Sequence, residues 1–209
     1  MEAAVRWSPH STPDRQRFLV VDVADPGLTL NEVDSTSGKN VHYHPIARTG
    51  RIPNFGAFDW SKNDESIVAL GLVSGSASLI KLRDDDQPSE TVVQYRLKQQ
   101  RKANSVAFST QDWFAVGVDR ARSDICLFVY DTKRGSGGSS EAVRKLCAAE
   151  VVSSVRFFPG QPQEIVATTQ RQYIRLYDLR GETLDCESSI GLNFYRWCVQ
   201  RECQRSSYH

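Results

Sequence analysis

Ser105-Val-Ala-Phe-Ser109, Trp113-Phe-Ala-Val-Gly117 and Ile125-Cys-Leu-Phe-Val-Tyr-Asp131 follow one another along the chain. An aromatic closes a short strand, a nearly all-apolar strand follows, and a third strand ends in Tyr-Asp. The same plan occurs three more times. Val5-Arg-Trp-Ser-Pro9, Phe18-Leu-Val-Val-Asp22 and Leu28-Thr-Leu-Asn-Glu-Val33 form the first unit. Phe55-Gly-Ala-Phe-Asp-Trp-Ser61, Ile67-Val-Ala-Leu-Gly71 and Ala77-Ser-Leu-Ile-Lys-Leu82 form the second. Ser154-Val-Arg-Phe-Phe-Pro159, Glu164-Ile-Val-Ala-Thr168 and Tyr173-Ile-Arg-Leu-Tyr-Asp-Leu179 form the fourth. The anchoring aromatics Trp7, Trp60, Phe108 and Phe157 recur at steps of about 50 residues, slightly above the ~40–45 of a four-stranded propeller blade. The excess falls in connections such as Arg134-Gly-Ser-Gly-Gly-Ser-Ser140, a flexible-loop composition.

Middle strands that are apolar throughout suit a sheet covered on both faces by neighbouring sheets. The endings Tyr130-Asp131 and Tyr177-Asp178 stand where such repeats carry Trp-Asp. Thr91–Leu97 and Val143–Cys147 mix apolar and basic residues and fit outer strands that resist pairing with a stranger. No stretch keeps a helical period over three turns. The sequence therefore predicts an all-β, WD-repeat β-propeller fold, incomplete, with about four blades of an expected seven. A two-sheet sandwich also uses many short strands, but leaves the recurring aromatic-plus-strand-pair unit without a reason.

The 209 residues carry 26 Lys+Arg against 25 Asp+Glu, a net charge of +1. That balance excludes a counterion-driven grip on nucleic acid by the whole chain. At 40% apolar and 24% charged residues the composition is that of a globular protein. No apolar run reaches the ~18 residues of a membrane span. Ser66–Ile80, the longest candidate, is broken by Gly71, Ser74, Gly75, Ser76 and Ser78. The opening residues lack the apolar core of a signal peptide, and the five cysteines do not form closely spaced pairs, so reduced thiols are expected.

Phe114-Ala-Val-Gly-Val-Asp-Arg-Ala-Arg-Ser-Asp124, ahead of the strand ending Tyr130-Asp131, resembles the signature of the Mio (missing oocyte) family of WD-repeat proteins. Its propeller has a Gly-Leu-Asp-basic-x-Arg-x-Asp loop at this place. Gly117, Asp119, Arg120, Arg122 and Asp124 match that loop, while Val118 stands where Leu is common. Val5-Arg-Trp-Ser-Pro-His10, Asp59-Trp60 through Gly71, Ser74-Gly-Ser-Ala77 and Ile174-Arg-Leu-Tyr-Asp178 are similar too, in a way generic to propellers. The resemblance covers about residues 1–181. It implies a non-catalytic propeller within a subunit of the SEA complex, the GATOR subcomplex of animals. Such a subunit acts in the cytoplasm, at the cytosolic face of the vacuole or lysosome, and relays amino-acid sufficiency to TOR complex 1. Its partners would be other subunits of the complex, and any membrane association would be peripheral, through them. Family members continue into further blades, a helical solenoid and a zinc-binding RING-like module.

Residues 1–181 are thus expected to form the partial propeller. The repeat vanishes in the stretch 182–209, read as a disordered, truncated or mis-spliced end. Without further blades the arc is expected to be unstable or prone to aggregate unless a partner caps it.

No catalytic, cofactor or metal site is legible. Gly135-Ser-Gly-Gly-Ser139 lacks the strand–elbow–helix context of a nucleophile, and Gly71-Leu-Val-Ser-Gly75 lacks the phosphate-binding lysine. His42 and His44 share one strand face but make only a pair. Cys186, Cys198 and Cys203 lack zinc-knuckle spacing. Two surface features remain. Asp119, Arg120, Arg122 and Asp124 form either a turn in which an arginine bridges an aspartate, or a partner-contact loop. Arg96, Lys98, Arg101 and Lys102 form either a solvated outer strand and loop, or a patch for an acidic partner or anionic headgroups. A generic WD-repeat scaffold of another complex and a propeller enzyme remain as alternatives, the latter without convergent carboxylates or histidines to support it.

Overall fold

A computed structural model describes residues 5–22, 26–34, 41–83, 90–97, 99–122, 124–133, 141–171 and 174–180. The Gly/Ser connection 134–140 and the stretch 182–209 lie outside these residues, as do Lys98, Ser123 and Tyr173.

Every element formed by these residues is a strand, and the strands make four antiparallel sheets. The first holds β1 (Val5–Trp7), β2 (Gln16–Asp22), β3 (Gly27–Asp34) and β4 (His42–Arg48). The second holds β5 (Phe55–Trp60), β6 (Ile67–Leu72), β7 (Ser76–Lys81) and β8 (Glu90–Arg96). The third holds β9 (Ala103–Phe108), β10 (Trp113–Val118), β11 (Ile125–Asp131) and β12 (Arg144–Ala148). In the fourth, β13 (Val152–Phe158), β14 (Gln161–Thr169) and β15 (Ile174–Asp178) are described. Each sheet is a meander with neighbours in chain order, as propeller blades are.

The registers superimpose the repeats. Trp7 faces Phe18, Trp60 faces Val68, Phe108 faces Phe114 and Phe157 faces Ile165 across the first strand pair of each sheet. Behind three of these aromatics a serine turns the chain. The hydroxyls of Ser8, Ser61 and Ser109 accept hydrogen bonds from the N–H groups of His10, Asn63 and Gln111 at 3.1, 3.2 and 3.1 Å. A serine folds its own backbone in this way two residues on. The Tyr-Asp ending has a similar cause. Asp131 accepts from the N–H of Lys133 at 2.8 Å and Asp178 from that of Arg180 at 3.0 Å, so each aspartate stops its strand.

Alternate residues of each middle sheet face opposite neighbours. Phe58, Trp60, Val68 and Leu70 join Leu19, Val21, Leu28 and Leu30 in the core between the first two sheets. Ala57, Ala69, Leu79 and Tyr95 join the large core that runs through the third sheet into the fourth. Phe58, Trp60 and Phe114 are 1%, 1% and 0% exposed, and burying such a side chain stabilises by about 1.5–3 kcal/mol. Close approach sets two glycines. A Cβ on Gly71 would stand 2.7 Å from the Cβ of Ala103, and one on Gly117 would stand 2.4 Å from Cγ1 of Val152. The second strand of one sheet thus lies directly against the first strand of the next.

Candidate interaction surface

The loop between β10 and β11 combines an anchored base with an outward rim. Asp119 accepts a hydrogen bond from the Nδ2 of Asn104 at 2.7 Å, and its own N–H donates to Lys102 O at 2.9 Å. Asp124 accepts from the N–H of Ile125 at 2.8 Å and faces the Arg101 guanidinium at 3.3 Å. Among the described residues neither aspartate pairs with Arg120 or Arg122. Both arginines are exposed, and Arg120 Nε donates to the carbonyl of Arg122 at 2.7 Å. Arg122 has φ +56°, a left-handed conformation that costs a non-glycine residue about 1–2 kcal/mol. The tightness of the turn therefore comes from the aspartates gripping the sheet, with the arginines left for solvent or a partner.

The basic stretch divides. Arg96 ends the outer strand β8 and Lys102 precedes β9, both exposed. Lys98 lies outside the described residues. Arg101 is 6% exposed. Its Nη1 donates to Ile125 O at 2.6 Å and its guanidinium lies 5.5 Å over the Phe128 ring. Arg101 is buried because the chain there crosses the Gly75 turn so closely that a Cβ on Gly75 would meet its backbone nitrogen at 2.7 Å.

The fourth sheet repeats this device with other residues. Glu150, two residues ahead of β13 as Arg101 is ahead of β9, takes a bidentate contact from Arg175 at 2.9 and 2.7 Å. Arg175 holds the register place on β15 that Phe128 holds on β11. The Arg175 bond holds the Glu150 carboxyl below the usual range. Reading residues singly missed this pair; its signal is the repeated offset of a charge two residues before an inner strand.

His10 Nε2 lies 3.1 Å from Ser61 O, and His44 Nδ1 lies 3.0 Å from Asp34, so each is engaged locally. Cys126 and Cys147 are buried thiols outside any disulfide, and burial pushes the Cys126 thiol up. No group of three or more His, Cys, Asp or Glu able to hold a metal occurs among the described residues. Cys186, Cys198 and Cys203 lie outside them. Two open clefts between sheets are lined by described residues. One, of about 180 Å³, is lined by Trp113, Val143 and Leu179. The other, of about 220 Å³, is lined by Ile67, Leu79 and Gln111. Both are smaller than the about 300–1,000 Å³ of small-molecule sites. What these features leave exposed is a set of loops and strand edges on stacked sheets.

No protein-family model matches the chain. The GATOR2 complex protein Mio of Drosophila melanogaster is 28% identical over 128 residues, which are 60% of this chain and 14% of that protein. The match supports a relationship to the Mio family. By its name that relative is a protein of the GATOR2 complex, and the chain spans a small part of it.

Proposed function

We propose that this Mio-related chain is a non-catalytic interaction scaffold, the propeller portion of a GATOR2-type (SEA-type) complex subunit. In this reading it helps relay amino-acid sufficiency to TOR complex 1 at the cytosolic face of the vacuole or lysosome. The observation that carries the reading is the β10–β11 loop, whose aspartates are spent on the sheet while Arg120 and Arg122 point outward. A rim of this kind recognises a partner without turnover, because a few fixed anchors supply most of the binding energy. Arg96 and Lys102, with Lys98 between them in sequence, offer a second basic surface for an acidic partner, from which Arg101 is withdrawn into the interior. No helix among the described residues is long and apolar enough to cross a membrane, so membrane association in this reading comes through partner subunits.

The test is capture of the tagged full-length chain from cells, with its partners identified by mass spectrometry. GATOR2- or SEA-type subunits are expected, and Arg120→Glu with Arg122→Glu should deplete them while the fold is kept. Recovery of an unrelated complex overturns the reading.

A further inference from the structure

Two thiols stand opposite each other beneath the β10–β11 loop. β11 and β12 run antiparallel with Ile125 opposite Ala148 and Leu127 opposite Leu146, so the register sets Cys126 against Cys147 between them. Directly opposed residues of an antiparallel pair have Cα atoms about 4.5–5.5 Å apart, within the about 4.4–6.8 Å that a disulfide spans. Both sulfurs also meet one residue, Glu150. Its carbonyl accepts from the Cys147 thiol at 3.8 Å, and its N–H favours the thiolate of Cys126. The Cys126 and Cys147 side chains are buried in the core that runs through the third sheet. Burial pushes the Cys126 thiol up while the charge of Arg101 pulls against it, so the pair is unreactive as long as the sheet stays closed.

Access and consequence both follow from the position of the pair. β12 is the outermost described strand of its sheet. Cys147 and Ala149 hold φ +55° and +61°, left-handed conformations that strain a non-glycine residue and favour local opening of an edge. Opening of this edge exposes Cys147 before Cys126. On its other side the Cys126 thiol lies 3.8 Å from the carbonyl of Asp119 and 3.4 Å from that of Asp124, donating toward both. These two aspartates are the feet of the loop that carries Arg120 and Arg122. One S–H is thus shared between the two feet. A disulfide sulfur has no proton to give, so oxidation removes that donor from both carbonyls.

We propose that Cys126 and Cys147 form a redox pair, which hydrogen peroxide closes into a disulfide between β11 and β12 and which thereby loosens the β10–β11 loop. The Cys147 thiolate attacks one peroxide oxygen; the O–O bond breaks, and the hydroxide released takes up the thiol proton as water. Cys126 then attacks the sulfenic sulfur, and its own proton leaves with the second hydroxide as water. Two thiols lose two electrons in all, and one peroxide becomes two waters. The link and the loosening stand on this geometry; any effect on docking rests on the partner-contact role of Arg120 and Arg122. The test uses the full-length chain, reduced, exposed to hydrogen peroxide, blocked with iodoacetamide and digested without reductant for mass spectrometry. Joined peptides holding Cys126 and Cys147, separated again by dithiothreitol, are expected. Cys147→Ala should abolish them with unchanged far-ultraviolet dichroism; if it does not fold, Cys126→Ala replaces it. Brief trypsin digestion of the folded protein reads the loop. After oxidation, cleavage behind Arg120 and Arg122 should quicken about threefold or more, as loss of a weak hydrogen bond shifts a local opening equilibrium. Peroxide should leave that rate unchanged in the alanine variant. Peptides joined through Cys186, Cys198 or Cys203 in place of this pair, thiols that stay reduced until the fold is lost, or a loop cleaved at one rate in both states overturns the proposal.

Discussion

The carboxylate of Asp59 accepts a hydrogen bond from the backbone N–H of Phe108 at 2.8 Å, tying the inner strand of the second sheet to that of the third. The bond is buried, and Arg6 and Lys62 stand 3.9 Å from the same carboxylate. Asp59→Ala leaves the Phe108 N–H buried without its acceptor, which costs about 1–3 kcal/mol. Asp59→Asn keeps an acceptor oxygen and should lose less. Thermal unfolding of the two variants checks the order; equal losses would mean that the charge, not the bond, matters.

Close stacking predicts a contrast among glycines. Gly71→Ala and Gly117→Ala force a methyl group into the facing strand, and overpacking of this kind costs about 1–3 kcal/mol. Gly117 should suffer more, since its new Cβ would meet Val152 at 2.4 Å against 2.7 Å to Ala103 for Gly71. Gly50→Ala is the control: nothing lies within 4 Å of the added carbon, and the change should stay within about 0.5 kcal/mol. Chemical denaturation midpoints provide the comparison.

The loop's two roles separate in double-mutant cycles. Asp124 faces Arg101, so their coupling should be about 0.2–1 kcal/mol, modest because Asp124 is half exposed. The Arg122–Asp124 cycle should give no coupling. Arg122→Gly removes the side chain and fits φ +56°, so stability should hold or rise slightly. Loss of captured partners in that variant would belong to the guanidinium itself.

The repeats were readable because an apolar middle strand and its closing aromatic are local patterns, and Trp60, Phe108 and Phe157 fall at matching register positions. The outer strands Thr91–Leu97 and Val143–Cys147 correspond to β8 and β12 within a residue or two. Arg101 was not readable. Four basic residues in seven positions look alike in sequence, and only the passage of the chain over Gly75 turns one of them inward. The partners of Asp119 and Asp124 were hidden for the same reason. Asn104 and Arg101 lie 15 and 23 positions away along the chain, whereas the arginines beside the aspartates point to solvent.

The Glu150–Arg175 pair makes acid stability a test of the fourth sheet. Both side chains are about nine-tenths buried, and the Arg175 hydrogen bond keeps the Glu150 carboxyl below its ordinary value, as Arg17 does for Glu32. A carboxyl depressed by folding contributes stability above its unfolded value, about pH 4.3, and loses it as pH falls through the lower folded value. At pH 7 Glu150→Ala should cost about 3–5 kcal/mol, because the buried Arg175 guanidinium loses the carboxylate that meets it at 2.7 Å. Glu150→Gln keeps acceptor capacity and should cost less. Melting temperatures measured from pH 7 down to strong acid should show the parent and Glu150→Gln proteins starting to converge below about pH 4.3 and meeting only below the lower folded value, where protonation makes Glu150 as neutral as the amide. A gap that stays constant across that range would mean that Arg175 holds Glu150 by shape alone, and that the charge pair contributes nothing to the stability of β15.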